Sequence, residues 1–376
     1  MDIKRILLFS LLLFPVFLFG ESGKSFVVFG EEMRIRTPFP ALSIDKPLDS
    51  KKIESALVSF NEEIQEGLLN EFDSLSEHFS MDDLAWVIVV REIAKQHYND
   101  PIQSDLFLYL LLKKKSYESL LGYSPDGTTV YGYLDFPVAN LIQVKLNNRL
   151  YSDLSFDQKK ILGQEELFGK PTAGRAITLN ENKPPAFHGK PIQKSFYFEY
   201  ESFPYCFKFT YESGLTSYLK SLPDIEISSV YLNYSLSETA AKSFKSQLSE
   251  AVASLPSYKR LDFILQFSQE AINYRSDKET IGIEKFSFAE ETLAAGYGDC
   301  EDKSILFGVL ARDILNLKSL ALIYYAQEHL NVAVESGDKS QFSFQNKNYL
   351  VCEPSGKGYK PGDNVYDLSK ASLVSW

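Results

Sequence analysis

The stretch GYGDCEDKS, residues 296–304, sets Cys300 between acids at the mouth of the apolar run ILFGVLARDIL. A thiol attacks as thiolate, and a helix N-terminus favours that anion through unpaired N–H groups and the positive end of its dipole. Asp299 has the side chain of an N-cap, and Ile305, Leu306, Val309, Leu310 and Ile314 recur at helical spacing, so the spacing predicts a packed helix opened by the thiol. Asp299, Glu301 and Asp302 act the other way, because like charge raises a thiol pKa. A cationic partner is therefore required. His329 heads HLNVAVE, where His329, Asn331 and Ala333 share one face and Leu330, Val332 and Val334 are expected to face the core. Glu353 ends the following strong strand, NYLVCEP, as an acceptor able to orient an imidazole. Nucleophile on a helix, base on one strand and carboxylate on the next form a triad layout. Singly, each residue reads as something plain: a capped helix start, a strand histidine, a turn acid. Order and spacing are what argue for chemistry.

The alternatives in the sequence are weaker. His78 and His97 lie in polar helical stretches and His188 in a Pro-rich loop, PPAFHGKP. A metal site is disfavoured and no cofactor is expected, since there is no CxxC or HExxH; calcium held by Asp299 and Glu301 is the lesser alternative. Cys206 alternates with Lys208 and Thr210 in YCFKFTY and reads as an ordinary strand cysteine.

These residues need a scaffold. DDLAWVIVVREIAKQHY and SDLFLYLLLKKKSYESLLGY read as helices, followed by strand-like TTVYGYLDF and LIQVKLNNRLYS. SFYFEYESFPYCFKFTYES alternates rings with polar residues at period two, predicting an antiparallel hairpin turning near ESFP. SLSETAAKSFKSQLSEAVASLP then predicts a helix with a capping box at Ser235 and Glu238, one face of Phe244, Leu248 and Val252, and a stop at Pro256. The last section begins with the helix YKRLDFILQFSQEAINY and holds the Cys300 helix and strands SLALIYYA, HLNVAVE, QFSFQ and NYLVCEP. The expected organisation is a leader at 1–20, an N-terminal α+β domain at 21–160, a β-rich middle domain with a closing helix at 161–255, and the thiol-bearing domain at 256–376.

Setting LLLKKKSYESLLGYSPDGTTVYGYLD against VLARDILNLKSLALIYYAQEHLNVAVE at an offset of 200 aligns Ser119 with Ser319, Asp100 with Cys300 and Thr129 with His329. On that alignment the N-terminal domain is a degenerate copy without nucleophile or base. An accidental match of two generic α+β segments is the alternative.

Composition bounds the partners. With 376 residues, 44% hydrophobic, there is enough chain for two or three cored domains. The net charge of −11, with no basic stripe among the aromatics, excludes nucleic acid as an expected partner and disfavours acidic substrates. MDIKRILLFSLLLFPVFLFG has the build of a secretory signal, with cleavage after Gly20 expected and retention as an anchor the lesser alternative, since Leu18 suits the −3 position poorly. Three cysteines do not make a disulfide framework. The expectation is an exported chain, periplasmic or secreted, whose mature form has no membrane span.

The stretch FSQEAINYRSDKETIGIEKFSFAEETLAAGYGDCEDKSILFGVLARDILNLKSLALIYYAQEHLNVAVE resembles the transglutaminase-like superfamily, particularly exported bacterial proteins with Cys-His-Asp sites on a papain-like fold. The likeness runs over roughly 260 to 356 and rests on the blocks YRSD, EKFSFAEE and DCEDKS. It implies an α+β chain with a C-terminal papain-like domain, Cys300 as nucleophile, His329 as base and Glu353 at the family's aspartate. It also implies Gln269 as a group polarising the carbonyl, and the first N–H of the Cys300 helix as oxyanion donor. Related calcium-dependent thiol proteases share GDCED, where acids beside the cysteine bind the metal. Glu353 for aspartate, and CEPSGKGYKPG in place of a tighter DPT turn, are departures. The expected activity is attack on an amide of a peptide or protein through an acyl-enzyme, by hydrolysis or transfer. The alternative is a catalytically silent binding or scaffold protein on the same fold.

Overall fold

The computed structural model describes residues 23–58, 60, 62–157, 165–169, 174–226, 228–280, 282–324, 328–337, 340–363 and 366–375. The leader segment lies outside them. In chain order, β1 (Lys24–Val28) and β2 (Glu31–Ile35) form a hairpin, followed by α1 (Ser50–Val58), α2 (Glu62–His78), α3 (Asp83–His97) and α4 (Pro101–Lys114). Then come β3 (Ser119–Ser124), β4 (Gly127–Tyr133), β5 (Val138–Ala139), β6 (Gln143–Leu146), β7 (Arg149–Asp153), β8 (Glu166–Phe168), β9 (Pro191–Tyr200) and β10 (Phe203–Glu212). Next are α5 (Ser213–Ser221), β11 (Asp224–Ile225), α6 (Ser228–Asn233), α7 (Glu238–Ala240), which continues through a π turn into α8 (Ser246–Ala253), and α9 (Ser257–Glu270). The last section holds β12 (Asn273–Tyr274), α10 (Asp277–Thr280), α11 (Ala289–Ala295), β13 (Tyr297–Gly298) and α12 (Cys300–Leu315). It ends with β14 (Ser319–Tyr324), β15 (His329–Glu335), β16 (Phe342–Phe344), β17 (Lys347–Cys352) and β18 (Ser372–Ser375). The class is α+β, with the larger sheets antiparallel.

Two five-stranded sheets have the same plan. Their orders are β6-β7-β4-β3-β8 and β16-β17-β15-β14-β18, and helix pairs α3/α4 and α9/α12 precede their first strands. Gly132 faces Ser152 in the first sheet and Val332 faces Cys352 in the second, each residue 200 positions from its counterpart. The β6–β7 and β16–β17 hairpins both turn on two residues with positive φ, Asn147 and Asn148 in one and Gln345 and Asn346 in the other. The β3–β4 hairpin turns on Pro125 and Asp126, and the β14–β15 register departs from the 200-residue offset by two positions and that of β16–β17 by four. At the helix starts Asp100 and Asp299 are both N-caps, so Pro101, not Asp100, stands opposite Cys300.

The segment 161–255 feeds two cores. Phe187, Tyr218, Ile225 and Tyr231 pack with the first unit, while Phe196, Phe207, Phe209, Phe244 and Leu248 pack with Phe263, Phe267 and Leu306 of the second. The β9–β10 hairpin turns at Glu201 and Ser202, both at positive φ, as a two-residue loop between right-twisted strands favours.

Several local expectations change. SYESLLGY does not extend α4, which ends at Lys114. Its second half is β3, where Leu120 and Leu121 are buried on opposite faces of a sheet covered on both sides. The closing helix is capped by Ser237, because the buried Glu290 carboxylate accepts from Ser237 N–H and Oγ–H, while Ser235 accepts from Arg312. Leu330 through Val334 are all buried, so β15 is an inner strand covered on both faces, not a half-exposed one. Among the described residues no helix is long and apolar enough to cross a membrane.

Candidate active site

α12 begins at the thiol because of what precedes it. Gly296, at φ 77°, ends α11 in the left-handed region, and a Cβ on Gly298 would sit 2.6 Å from Asp302 Cβ. Asp299 then caps the helix, its side chain accepting from Asp302 N–H. Behind this turn the buried Lys303 ammonium donates to Gln269 O and Ile272 O, tying α12 to the end of α9, and burial pushes its pKa down to about 8. Ser304 Oγ donates to Leu330 O, tying α12 to β15.

β15 and β17 are neighbours, and they bring His329 to Glu353. His329 Nε2 lies 2.7 Å from Glu353 Oε2 and 2.7 Å from Asn331 Oδ1. Two acceptors on one nitrogen place the proton there in the neutral ring and leave the Nδ1 lone pair for another partner. Burial opposes the imidazolium, but Glu353, Asn331 and then Glu301 outweigh it and raise the His329 pKa. Glu353 is 3% exposed; burial pushes its pKa up, and His329 and Ser355 more than reverse this, so it is held below the ordinary glutamate range. Its Oε1 accepts from Ser355 N–H and Oγ–H and from Gly356 N–H. The Tyr366 ring stacks on His329 with centroids 4.5 Å apart, and Tyr324 lies against Tyr366.

Cys300 Sγ lies 3.9 Å from Glu328 O, and Leu330 N–H also reaches it, so the thiol rests against the backbone on either side of His329. Its nearest polar partner is Glu301 Oε2, at 2.9 Å. Burial first, then the Glu301 charge and hydrogen bond, push the thiol pKa well up. The thiol in this geometry is a protonated donor.

The other expected residues fall as follows. Gln269 is fully buried and does not face a reaction centre: its Nε2 donates to Glu353 O and Tyr359 O, and its Oε1 accepts from Gly358 N–H. It pins the loop that presents Glu353, so the role of polarising a carbonyl does not suit it. Asp299 and Glu301 interact directly through their side chains, and each also has a further set of neighbours. Asp299 gathers with Asp277 and Glu284, their ligand atoms within 4.8 Å of one another, while Glu301 turns to the thiol. Cys206 is exposed and Cys352 buried. Sequence reasoning gave no role to Asn331, Ser355 or Tyr366. Asn331 carried a signal, since period two puts it on the face of His329. Tyr366 arrives from a distant segment with no local pattern to announce it.

The first unit has a partly similar arrangement. Asp153 Oδ1 accepts from Ser155 N–H as Glu353 Oε1 does from Ser355 N–H, and Arg91 holds Leu154 O and Ser155 O much as Gln269 holds the Glu353 loop. Thr129, at the His329 position, donates to Glu165 Oε1. The acid-and-serine turn is present without thiol or imidazole. A wide cleft lined by Arg312, Asn316, Lys318, Glu335 and Lys347 lies at the opposite end of α12 from Cys300. No family model, curated protein or solved structure matches this chain.

Proposed function

We propose that the chain is an exported thiol enzyme with a transglutaminase-like, papain-like C-terminal unit, acting on an amide of a peptide or protein. Cys300 attacks the carbonyl carbon, His329 takes the thiol proton on Nδ1, and Glu353 holds the ring through Nε2–H. The tetrahedral oxyanion is met by N–H groups at the start of α12. His329 returns the proton to the leaving amine, and the acyl-enzyme passes to water or to a second amine. The observation that carries this reading is the double acceptor on His329 Nε2, which reserves the other nitrogen for a base's work at the strand start against whose backbone the Cys300 thiol rests. Calcium is given no step in this mechanism; Asp277, Glu284 and Asp299, whose ligand atoms gather within 4.8 Å of one another, are the residues that would hold a cation.

One observation favours a second reading, a silent binding or scaffold protein: Cys300 is 5% exposed and donates to a carboxylate. The pH dependence of Cys300 alkylation in a Cys206→Ser, Cys352→Ser background, with and without His329→Ala, separates the two. Reactivity persisting well below the ordinary thiol range of about 8.5 and lost with His329→Ala supports the enzyme. Titration like a buried thiol in both proteins supports the silent fold.

A further inference from the structure

The β9–β10 ribbon is a sheet of two ten-residue strands, and its two edges are treated differently. In an antiparallel pair, alternate residues turn their N–H and C=O outward. On β10 these include Lys208 and Thr210, and both are capped by side chains. Lys208 N–H donates to Gln247 Oε1 and Lys208 O accepts from Gln247 Nε2; Thr210 N–H donates to Ser243 Oγ and Thr210 O accepts from Ser243 Oγ–H. The helix that carries Ser243 and Gln247 thus imitates a third strand.

The residues opposite these on β9 are Ser195 and Gln193, so the outward set on β9 is Gln193, Ser195, Tyr197 and Glu199. All four are exposed, and among the described residues none makes a hydrogen bond beyond the hairpin. Exposed edges are normally blunted by an outward lysine, an internal proline or a bulge. The 193–199 edge has no proline and no bulge, its one outward charge is Glu199, and its lysine, Lys194, is turned inward to Ala294 O and Ala295 O. Ile192, Tyr197 and Phe203 are also left exposed along the ribbon, Tyr197 at 70% and Phe203 at 68%.

We infer that the β9 edge pairs with the same edge of a second copy of this chain, antiparallel across a two-fold axis, making a continuous four-stranded sheet. The edge is self-complementary. Setting Ser195 opposite the second copy's Tyr197, and Gln193 opposite its Glu199, places an amide against a carboxylate and no like charges face to face. All four outward residues of each copy then exchange hydrogen bonds. Ile192 comes to lie beside the second copy's Tyr200, at the apolar end that carries Phe203. Such an edge is small for a stable interface, so the dimer is of the weak, reversible class. Each copy carries −11, so association strengthens with salt.

The test is sedimentation velocity of the purified chain from 1 to 100 µM in 0.15 M salt. The expected result is a mass that doubles across the range, with Ser195→Ala unchanged. Ser195→Pro removes an outward N–H and is expected to weaken association at least tenfold. Should that variant fold poorly, Ser195→Lys with Tyr197→Lys keeps the ribbon, places like charges opposite across the axis, and is expected to have the same effect. A wild-type chain monomeric throughout overturns the inference and leaves the edge to an extended segment of another protein. A dimer untouched by the paired lysines places the interface elsewhere and overturns it equally.

Discussion

Glu353 is shared between two duties: Oε2 lies 2.7 Å from His329 Nε2, and Oε1 accepts from the Ser355 backbone 2.9 Å away. The carboxylate therefore fixes the imidazole and its own loop together. A glutamate suits both because its extra methylene spans from the strand end to β15 while the turn still closes on Ser355. Glu353→Asp is expected to keep the turn and lose the imidazole contact. Any His329-dependent reactivity of Cys300 should fall about tenfold or more, with a stability loss of about 1–2 kcal/mol from the lost charged hydrogen bond. Alkylation kinetics and denaturant unfolding measure the two effects. Unchanged values in both would show that the contact does no orienting.

Glu301 accepts the hydrogen bond of the Cys300 thiol. Glu301→Gln removes a negative charge at 2.9 Å from Sγ and is expected to lower the thiol pKa. A more acidic thiol carries proportionally more thiolate at neutral pH, so alkylation at pH 7 should accelerate about tenfold. Slower alkylation would instead make Glu301 the group that accepts the proton.

Gln269 is the support under the site. Gln269→Leu keeps the volume and strips three hydrogen bonds from the 353–359 loop, leaving buried carbonyls without donors. Urea unfolding is expected to show a loss of about 2–4 kcal/mol. Because Glu353 rides on that loop, His329-dependent thiol reactivity should fall as well, whereas a Gln269 that merely filled space would leave reactivity unchanged.

Asp299, Asp302 and Asp277 give stability a distinctive pH dependence. Burial first, and then neighbouring carboxylates, push them up to about 9, 8 and 6. The folded state binds these protons more tightly than the unfolded chain, so stability rises as pH falls through these values and levels near pH 4, where the unfolded chain is protonated too. Glu353 acts in the opposite sense and only lower down. Its depressed pKa contributes stability present above the unfolded value and lost as pH falls through the folded one. Lys303, pushed down to about 8, opposes this above pH 8, so Tm is expected to climb from pH 8 to pH 6. Asp302→Asn, which can still accept from Ser287 N–H, should flatten that slope and add about 1–2 kcal/mol at pH 8.

How much of this was legible in the sequence depended on whether the signal was local. The Cys300 helix, its Asp299 cap and the aromatic hairpin follow from periodicity and capping chemistry, which act within a few residues. The likeness of the two larger sheets was legible in part, because the β4–β7 and β15–β17 registers lie 200 positions apart while the helix starts lie 199 apart. The environment of β15 was not, since a buried Asn331 reads as a solvent-facing residue until His329 is seen beside it. Nor could spacing show that Gln269 would be consumed by a loop some ninety positions on, or that Glu301 would reach the thiol as well as Asp299. Those are competitions among long-range partners, and sequence spacing does not rank them.

The route of the chain between the two cores has a kinetic meaning. After building the first sheet it crosses at 191–212 to pack Phe196 through Tyr211 with the second unit, returns so that Leu215 through Tyr231 join the first, and leaves again with Leu236. Neither half can be completed before the other supplies its share, so the ordering entropy of long loops is met before most contacts form. A cut between the units would leave two incomplete halves, and on refolding the molecule should assemble slowly and as one cooperative body despite its duplicated plan.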